Sequence, residues 1–261
     1  MCTVVILYRP GEPWPVVIGA NRDEMRDRPW RPPGRHWPDR PDVVAGRDEL
    51  AGGTWLGLND HGVVAGILNR RHSLGPQAGM RSRGELPLEA LDHAEARAAA
   101  EALSRLEPKS YRTFNMIVAD RREVFWLRSR GWLRSRGSES PDGGLGVEVM
   151  KIPPGLSMLT AYDLNDPESN RIRRFKPLFE AAKAPDPENH DFAAWQKLMA
   201  SRDHDPGIGP GGAMMVATDT GFGTVSSSLI AVPSPAHWPA KPVWLFAAGP
   251  PDEAPWEPVT I

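Results

Sequence analysis

Apolar residues fall in short bursts of strand length along most of the chain, interrupted by two stretches with helical spacing. "CTVVILYR" and "WPVVIGANRD" are β-rich runs separated by "PGEP", whose glycine and prolines fit a hairpin turn. "TWLGLN" and "VVAGILN" flank "DHG" in the same way, with Gly62 where the turn requires a positive φ. "FNMIVAD", "EVFWLRS", "GVEVMKI" and "GLSMLTA" continue the strand pattern, as do "AMMVAT", "TVSSSLIAV" and "PVWLFAAG" further on. The stretch Leu88 to Leu106 is rich in Ala, Leu, Glu and Arg and amphipathic, so it predicts one helix. "SNRIRRFKPLFEAA" and "DFAAWQKLMAS" predict two more. Strand block, helix, strand block, helices, strand block is the order of an α+β domain over residues 1–261. It predicts antiparallel sheets with segregated helices, not alternating βαβ units.

Two stretches break the pattern. Residues 25–42 carry five arginines, five prolines and two tryptophans with neither helical nor strand period, which predicts a long loop. Such a loop is either a functional lid or a solvated excursion. Residues 126–131 and 132–137 are the same hexapeptide, "WLRSRG", and read as a local duplication lengthening a strand or hairpin.

Composition narrows the partners. A net charge of −2 gives no electrostatic reason to expect nucleic acid or an acidic membrane. The apolar runs are too short for a membrane span, and no basic region precedes "TVVILY" as a signal peptide would need. A single cysteine rules out an internal disulfide framework and a zinc ribbon. The expectation is a cytoplasmic protein that handles a small molecule and uses no metal or cofactor.

Several motifs fail on context. "GIGPGG" at 207–212 has the G-x-G-x-x-G spacing but contains Pro210 and leads into a strand, so it is a glycine-rich turn. "DHD" at 203–205 sits beside a proline and reads as a solvated turn rather than a metal site. "SSS" at 226–228 lies in a strand with no base paired to it in sequence.

The one cysteine is Cys2, and its place behind the start methionine has a chemical use. Methionine is removed before small residues such as cysteine, and the α-amine then exposed can act as base for the cysteine's own thiol. A free α-amine titrates at about 7.7–8.0 and a thiol at about 8.5, so proton transfer between them is poised near neutrality. The second strand closes on Asn21, Arg22, Asp23 and Glu24, and the first hairpin brings that end back to the chain's start. A carboxylate there can hold the amine, and an arginine can steady that carboxylate or meet an anionic substrate. The ordinary alternative is a charged strand end at the surface.

"MCTVVILYRP", "IGANRDE" and "GGTWLGLNDHGVVAGILNRR" closely resemble the NRDE family, whose members include transport-and-Golgi-organisation type proteins and whose name-giving tetrad stands intact at 21–24. "RSRGELPLEAL" and "GLSMLTAYDLND" resemble family segments too, so the likeness runs along the whole chain. The resemblance implies the four-layer αββα sandwich of N-terminal nucleophile hydrolases and a distant likeness to choloylglycine and penicillin V amidases. By position it makes Cys2 the nucleophile, Asp23 the amine-holding acid and Asn69 the oxyanion donor. Ala20 stands where those amidases carry an arginine, with Arg22 two residues on. Tyr162 or Asn165, near "LTAYDLND", would stand in for a second asparagine.

Two functions follow as expectations. One is hydrolysis of an amide or related acyl bond by Cys2, Arg22, Asp23 and Asn69, with Asn21, Glu24, Tyr162 and Asn165 near the substrate. The other is a non-catalytic carrier of a hydrophobic small molecule, haem or an acyl lipid, in the same cleft walled by Trp30 and Trp37.

Overall fold

The computed structural model describes residues 2–130, 146–237 and 239–261. Met1 and the second copy of "WLRSRG" lie outside the described residues. In chain order the elements are β1 (Thr3–Tyr8), β2 (Val16–Met25), β3 (Trp30–Gly34), β4 (Val43–Asp48), β5 (Leu56–Asn59) and β6 (Val64–Asn69). Then come α1 (Leu86–Leu91), α2 (Ala96–Leu103), β7 (Phe114–Ala119), β8 (Val124–Ser129), β9 (Val147–Lys151) and β10 (Gly155–Leu159). The chain continues with α3 (Asn170–Ala181), α4 (Ala193–Met199), β11 (Phe222–Val232), β12 (Val243–Ala247) and β13 (Trp256–Pro258).

These strands form two antiparallel sheets, β10-β1-β2-β11-β12-β13 and β3-β4-β5-β6-β7-β8-β9. The period-2 alternation of each strand decides what each face buries. In β1 and β2, Val4, Ile6, Tyr8, Val16, Ile18 and Ala20 face the second sheet, while Val5 and Val17 face α3 and α4. The second sheet divides likewise: Val44, Leu58, Val64 and Leu68 point to the first sheet, and Ala45, Ala65, Met116 and Leu127 point to α1 and α2. The result is the expected αββα sandwich. No helix among the described residues is long and apolar enough to cross a membrane.

The structure departs from the sequence reading at five places. The helix expected over Leu88–Leu106 is two, α1 and α2, because partners outside the helix satisfy the backbone at the break. Asn59 donates its amide to the carbonyls of Leu91 and His93, and Asp120 accepts from the Ala96 amide as an external cap. The stretch 25–42 is not all loop, since β3 pairs with β4 at a sheet edge, where its prolines are tolerated and the register slips between Arg31 and Gly34. "AMMVAT" is no strand but buried irregular chain, with one bridge from Ala217 to Gly223. β4 and β13 carry no clear alternation in sequence and are additional. Both first-order hairpins are present, with Gly62 at φ 84°.

Candidate functional site

The β1–β2 register sets the site. Thr3 pairs with Asn21, so one step toward the amino terminus lies opposite Arg22. Strand alternation then puts Cys2 and Arg22 on the face toward the second sheet, and Asn21 and Asp23 on the face toward α3 and α4. The four polar residues that end β2 therefore serve two sides of one sheet.

On the inner side, a cleft of about 400 Å³ opens between the end of β1–β2 and the second sheet. Cys2, Arg22, Glu24 and Asn69 line it together with Asp23, whose carbonyl faces Cys2 while its carboxylate is buried on the other side of the sheet; Asp48, Trp55 and the 75–84 segment stand opposite. Cys2 is half-buried, and its thiol faces the Asp23 carbonyl at 3.8 Å. Burial pushes the thiol above its ordinary value, and Asp23 adds to the rise; the amino-terminal charge and Arg22 oppose it without cancelling it. Arg22 is only 5% exposed, and its guanidinium lies 4.0 Å from the Trp55 ring centroid and 5.8 Å from that of Trp30. Its Nη2 stands 3.8 Å from Asp48 Oδ2, and its buried Nη1 has no hydrogen-bond partner. Burial pulls this guanidinium below its usual range, against the opposing pull of Cys2, Glu24 and Asp48. Trp55 can lie there because position 46 is glycine: a Cβ would come within 2.3 Å of its ring.

On the outer side, Asp23 is held by residues that the sequence did not single out. Arg171 of α3 donates Nη1 to Asp23 Oδ2 at 3.0 Å and also bonds the Thr3 hydroxyl. Thr224 donates to Asp23 Oδ1 at 2.7 Å, from just before the bulge that shifts β11 against β2. The guanidinium that meets Asp23 is thus Arg171's, whereas Arg22 faces the cleft. Arg171 sits in "SNRIRRF", where a helical arginine reads as solvated, so spacing gave no signal. Thr224 could have been found only by knowing the bulge.

The remaining candidates separate. Asn69 borders the cleft at the end of β6, and its side chain has no hydrogen-bond partner among the described residues. Glu24 borders it too, 3.8 Å from Arg28. Asn21, expected near the substrate, does not line the cleft: its amide donates to the Met199 and Met214 carbonyls, and its oxygen accepts from Ser227. Trp30 packs edge-on against Trp55 and Phe246, and Trp37 donates to the Gly52 carbonyl. The tryptophan of the cleft wall is therefore Trp55, because Trp30 is committed to the edge strand β3. Asn165 is a turn residue at φ 57° whose side chain bonds Met158 N and Ser157 Oγ. Tyr162 has Arg71 over its ring, and its carbonyl accepts from Asn115. Neither of these two lines the cleft. "DHD" forms no metal-binding group among the described residues, and "GIGPGG" is the turn expected, ending in a single 3-10 turn.

A family model described as Transport and Golgi organisation 2 matches residues 1–236. A Bos taurus protein named Transport and Golgi organization protein 2 homolog is 31% identical over 134 residues, which cover 46% of this chain and 45% of that protein. The chain thus matches less than half the length of that curated relative. Among solved structures, a Caenorhabditis elegans N-acylethanolamine-hydrolyzing acid amidase ortholog aligns with a TM-score of 0.55 at 14% identity, over 88% of this chain and 92% of that one. A single-residue variant of the conjugated bile acid hydrolase from Clostridium perfringens aligns with a TM-score of 0.51 at 12% identity, over 100% and 97%. At such identities the likeness is one of fold alone, and the fold is that of N-terminal nucleophile hydrolases.

Proposed function

The chain belongs to the Transport and Golgi organisation 2 family, and from that premise we propose that it is an N-terminal-cysteine hydrolase of an amide or related acyl bond in a small molecule. The observation that carries the reading is the position of Cys2, its thiol at the cleft wall between the Asp23 carbonyl and the buried Arg22.

In the working form Met1 is removed and Cys2 bears the free α-amine. That amine takes the thiol proton, Sγ attacks the acyl carbon, the C–N bond breaks, and the proton passes to the departing nitrogen. Water then cleaves the thioester, leaving a carboxylic acid and the restored thiol. Asp23, fixed by Arg171 and Thr224, orients the amine. Asn69 donates to the oxyanion, and the cationic Arg22 stabilises the same charge. A base is needed because a thiol ordinarily titrates at about 8.5, so near neutral pH its proton has to be taken during attack.

A carrier of a hydrophobic small molecule, haem or an acyl lipid, is the second reading, favoured by the apolar wall of Leu50, Trp55, Ile67 and Met80. One experiment separates the two. Protein from its native host is weighed for loss of Met1, and wild type and Cys2→Ala are assayed on acyl amides. The hydrolase reading expects Met1 lost and turnover abolished, by at least about a thousandfold, with binding retained in Cys2→Ala. Met1 retained, or binding without turnover in both forms, leaves the carrier.

A further inference from the structure

The acids and bases around the cleft do not balance, and the excess is arginine. Asp48 is taken by Arg28 at 2.8 Å, with Arg22 at 3.8 Å, and Glu24 faces Arg28 at 3.8 Å. Asp23 is met by Arg171 from the far side of the sheet. Arg83 and Arg112 also line the cleft, and among the described residues neither forms an ion pair with a carboxylate. Their partners are neutral. Arg83 Nη1 bonds Ser73 Oγ at 3.0 Å and the Thr113 carbonyl at 2.9 Å, and Arg112 Nη2 bonds the His72 carbonyl at 2.9 Å. The backbone holds Arg83 at the rim, because Thr54 N donates to the Gly84 carbonyl at 2.7 Å. Burial, and then the Arg112 charge, bring the Arg83 guanidinium down to about 10, while Cys2 and Glu24 act the other way. Two neighbouring guanidinium groups, one mostly buried, with no anion between them, form an arrangement that an oxyanion would relieve. The buried, unpartnered Nη1 of Arg22 adds a third donor beside Cys2.

We propose that the cleft selects acyl compounds that carry a carboxylate, gripped by Arg83 and Arg112, with the acyl chain along Trp55, Ile67 and Met80. The proposal rests on reading this cleft as the substrate site and names the class of substrate that fits it. A neutral acyl amide offers these two cations only uncharged acceptors, and desolvating them without an anion costs binding. A carboxylate makes charge-assisted, forked hydrogen bonds to either one.

The test measures binding apart from turnover. Full-length Cys2→Ala protein is titrated calorimetrically with N-decanoylglycine and with N-decanoylethanolamine, a pair that differs in the terminal carboxylate. The carboxylate probe is expected to bind at least about tenfold more tightly at low salt, with a gap that narrows as salt rises. Arg83→Gln and Arg112→Gln should each reduce the gap to about threefold or less. Arg202→Gln, an exposed arginine paired with Asp252 and Glu253, should leave it unchanged. Equal affinity for the two probes, a gap that survives both cleft substitutions, or no binding of the carboxylate probe at millimolar concentration would each overturn the proposal. If Arg83→Gln fails to fold, Arg112→Gln and the salt dependence of the parent protein still decide. Wild-type turnover is read separately: a carboxylate preference without hydrolysis sinks the hydrolase reading and leaves this one intact.

Discussion

Asp23 shows how one side chain depends on neighbours that no local pattern announces. Its side chain is 0% exposed and that of Arg171 is 5%, so the ion pair lies out of water. Taking one partner from such a pair costs roughly 3–5 kcal/mol, because the other charge stays buried. Arg171→Gln is therefore expected to lower unfolding stability by about that amount, read as a shift of the urea midpoint. The double variant with Asp23→Asn should cost less than the sum of the two single changes, since it removes both charges. An additive double variant would mean that Arg171 stabilises the fold without holding Asp23. At this scale the sequence was legible where a residue ends an apolar strand: Cys2, Arg22, Asp23, Glu24 and Asn69 all reach the cleft. It was not legible for Arg171, Thr224 or Arg83, which arrive from a helix, a bulge and a short turn whose placement only the tertiary packing decides.

Single elements were readable where alternation is strict and became obscure where another element supplies the missing bonds. β1, β2, β5 and β6 alternate and end at turn residues, so both hairpins could be placed. The break between α1 and α2 depends on Asn59 and Asp120, which lie far away in sequence, so composition alone made the stretch look continuous. The edge strand β3 is hidden by its prolines, yet it matters to the site: β4, its neighbour, carries the glycine that seats Trp55 against Arg22. Gly46→Ala is expected to push the Trp55 ring away, since the new Cβ would lie 2.3 Å from it. Overpacking of this kind costs about 1–3 kcal/mol. Near-ultraviolet circular dichroism and the thermal midpoint should both change, and under the proposed hydrolase reading acyl turnover should fall because Arg22 loses a wall. An unchanged aromatic spectrum would show that the ring has room to relax.

Across the whole molecule, the two sheets are tied together at the end where Cys2 sits. Asn115 of β7 donates to the carbonyls of Thr160 and Tyr162, just past β10, and accepts from Trp126 and Arg70. The Arg71 amide reaches the Ala161 carbonyl at 3.3 Å, and Asp163 gathers Arg70, Arg128 and Arg130 from the second sheet's side. This tie keeps β10, and β1 beside it, in place against the second sheet, so the cleft keeps its shape at Cys2. Burial works against ionisation at Asp163, but the three arginines, Arg70 first, outweigh it and hold the carboxyl below the usual range. The sign of the pH dependence follows. A carboxyl depressed in the folded state contributes stability that is fully present above its unfolded value, about 3.9, and is lost as pH falls through the lower folded value. Asp163→Asn should therefore be less stable than wild type at pH 6, with the difference in urea midpoint shrinking as pH drops below about 4. The site should loosen with it, so the variant at pH 6 should also show faster alkylation of Cys2 by iodoacetamide than wild type. A stability difference that stays constant from pH 6 to pH 3, with Cys2 alkylated at the same rate, would mean that the arginines around Asp163 neither stabilise its charge nor hold the sheets at the cleft.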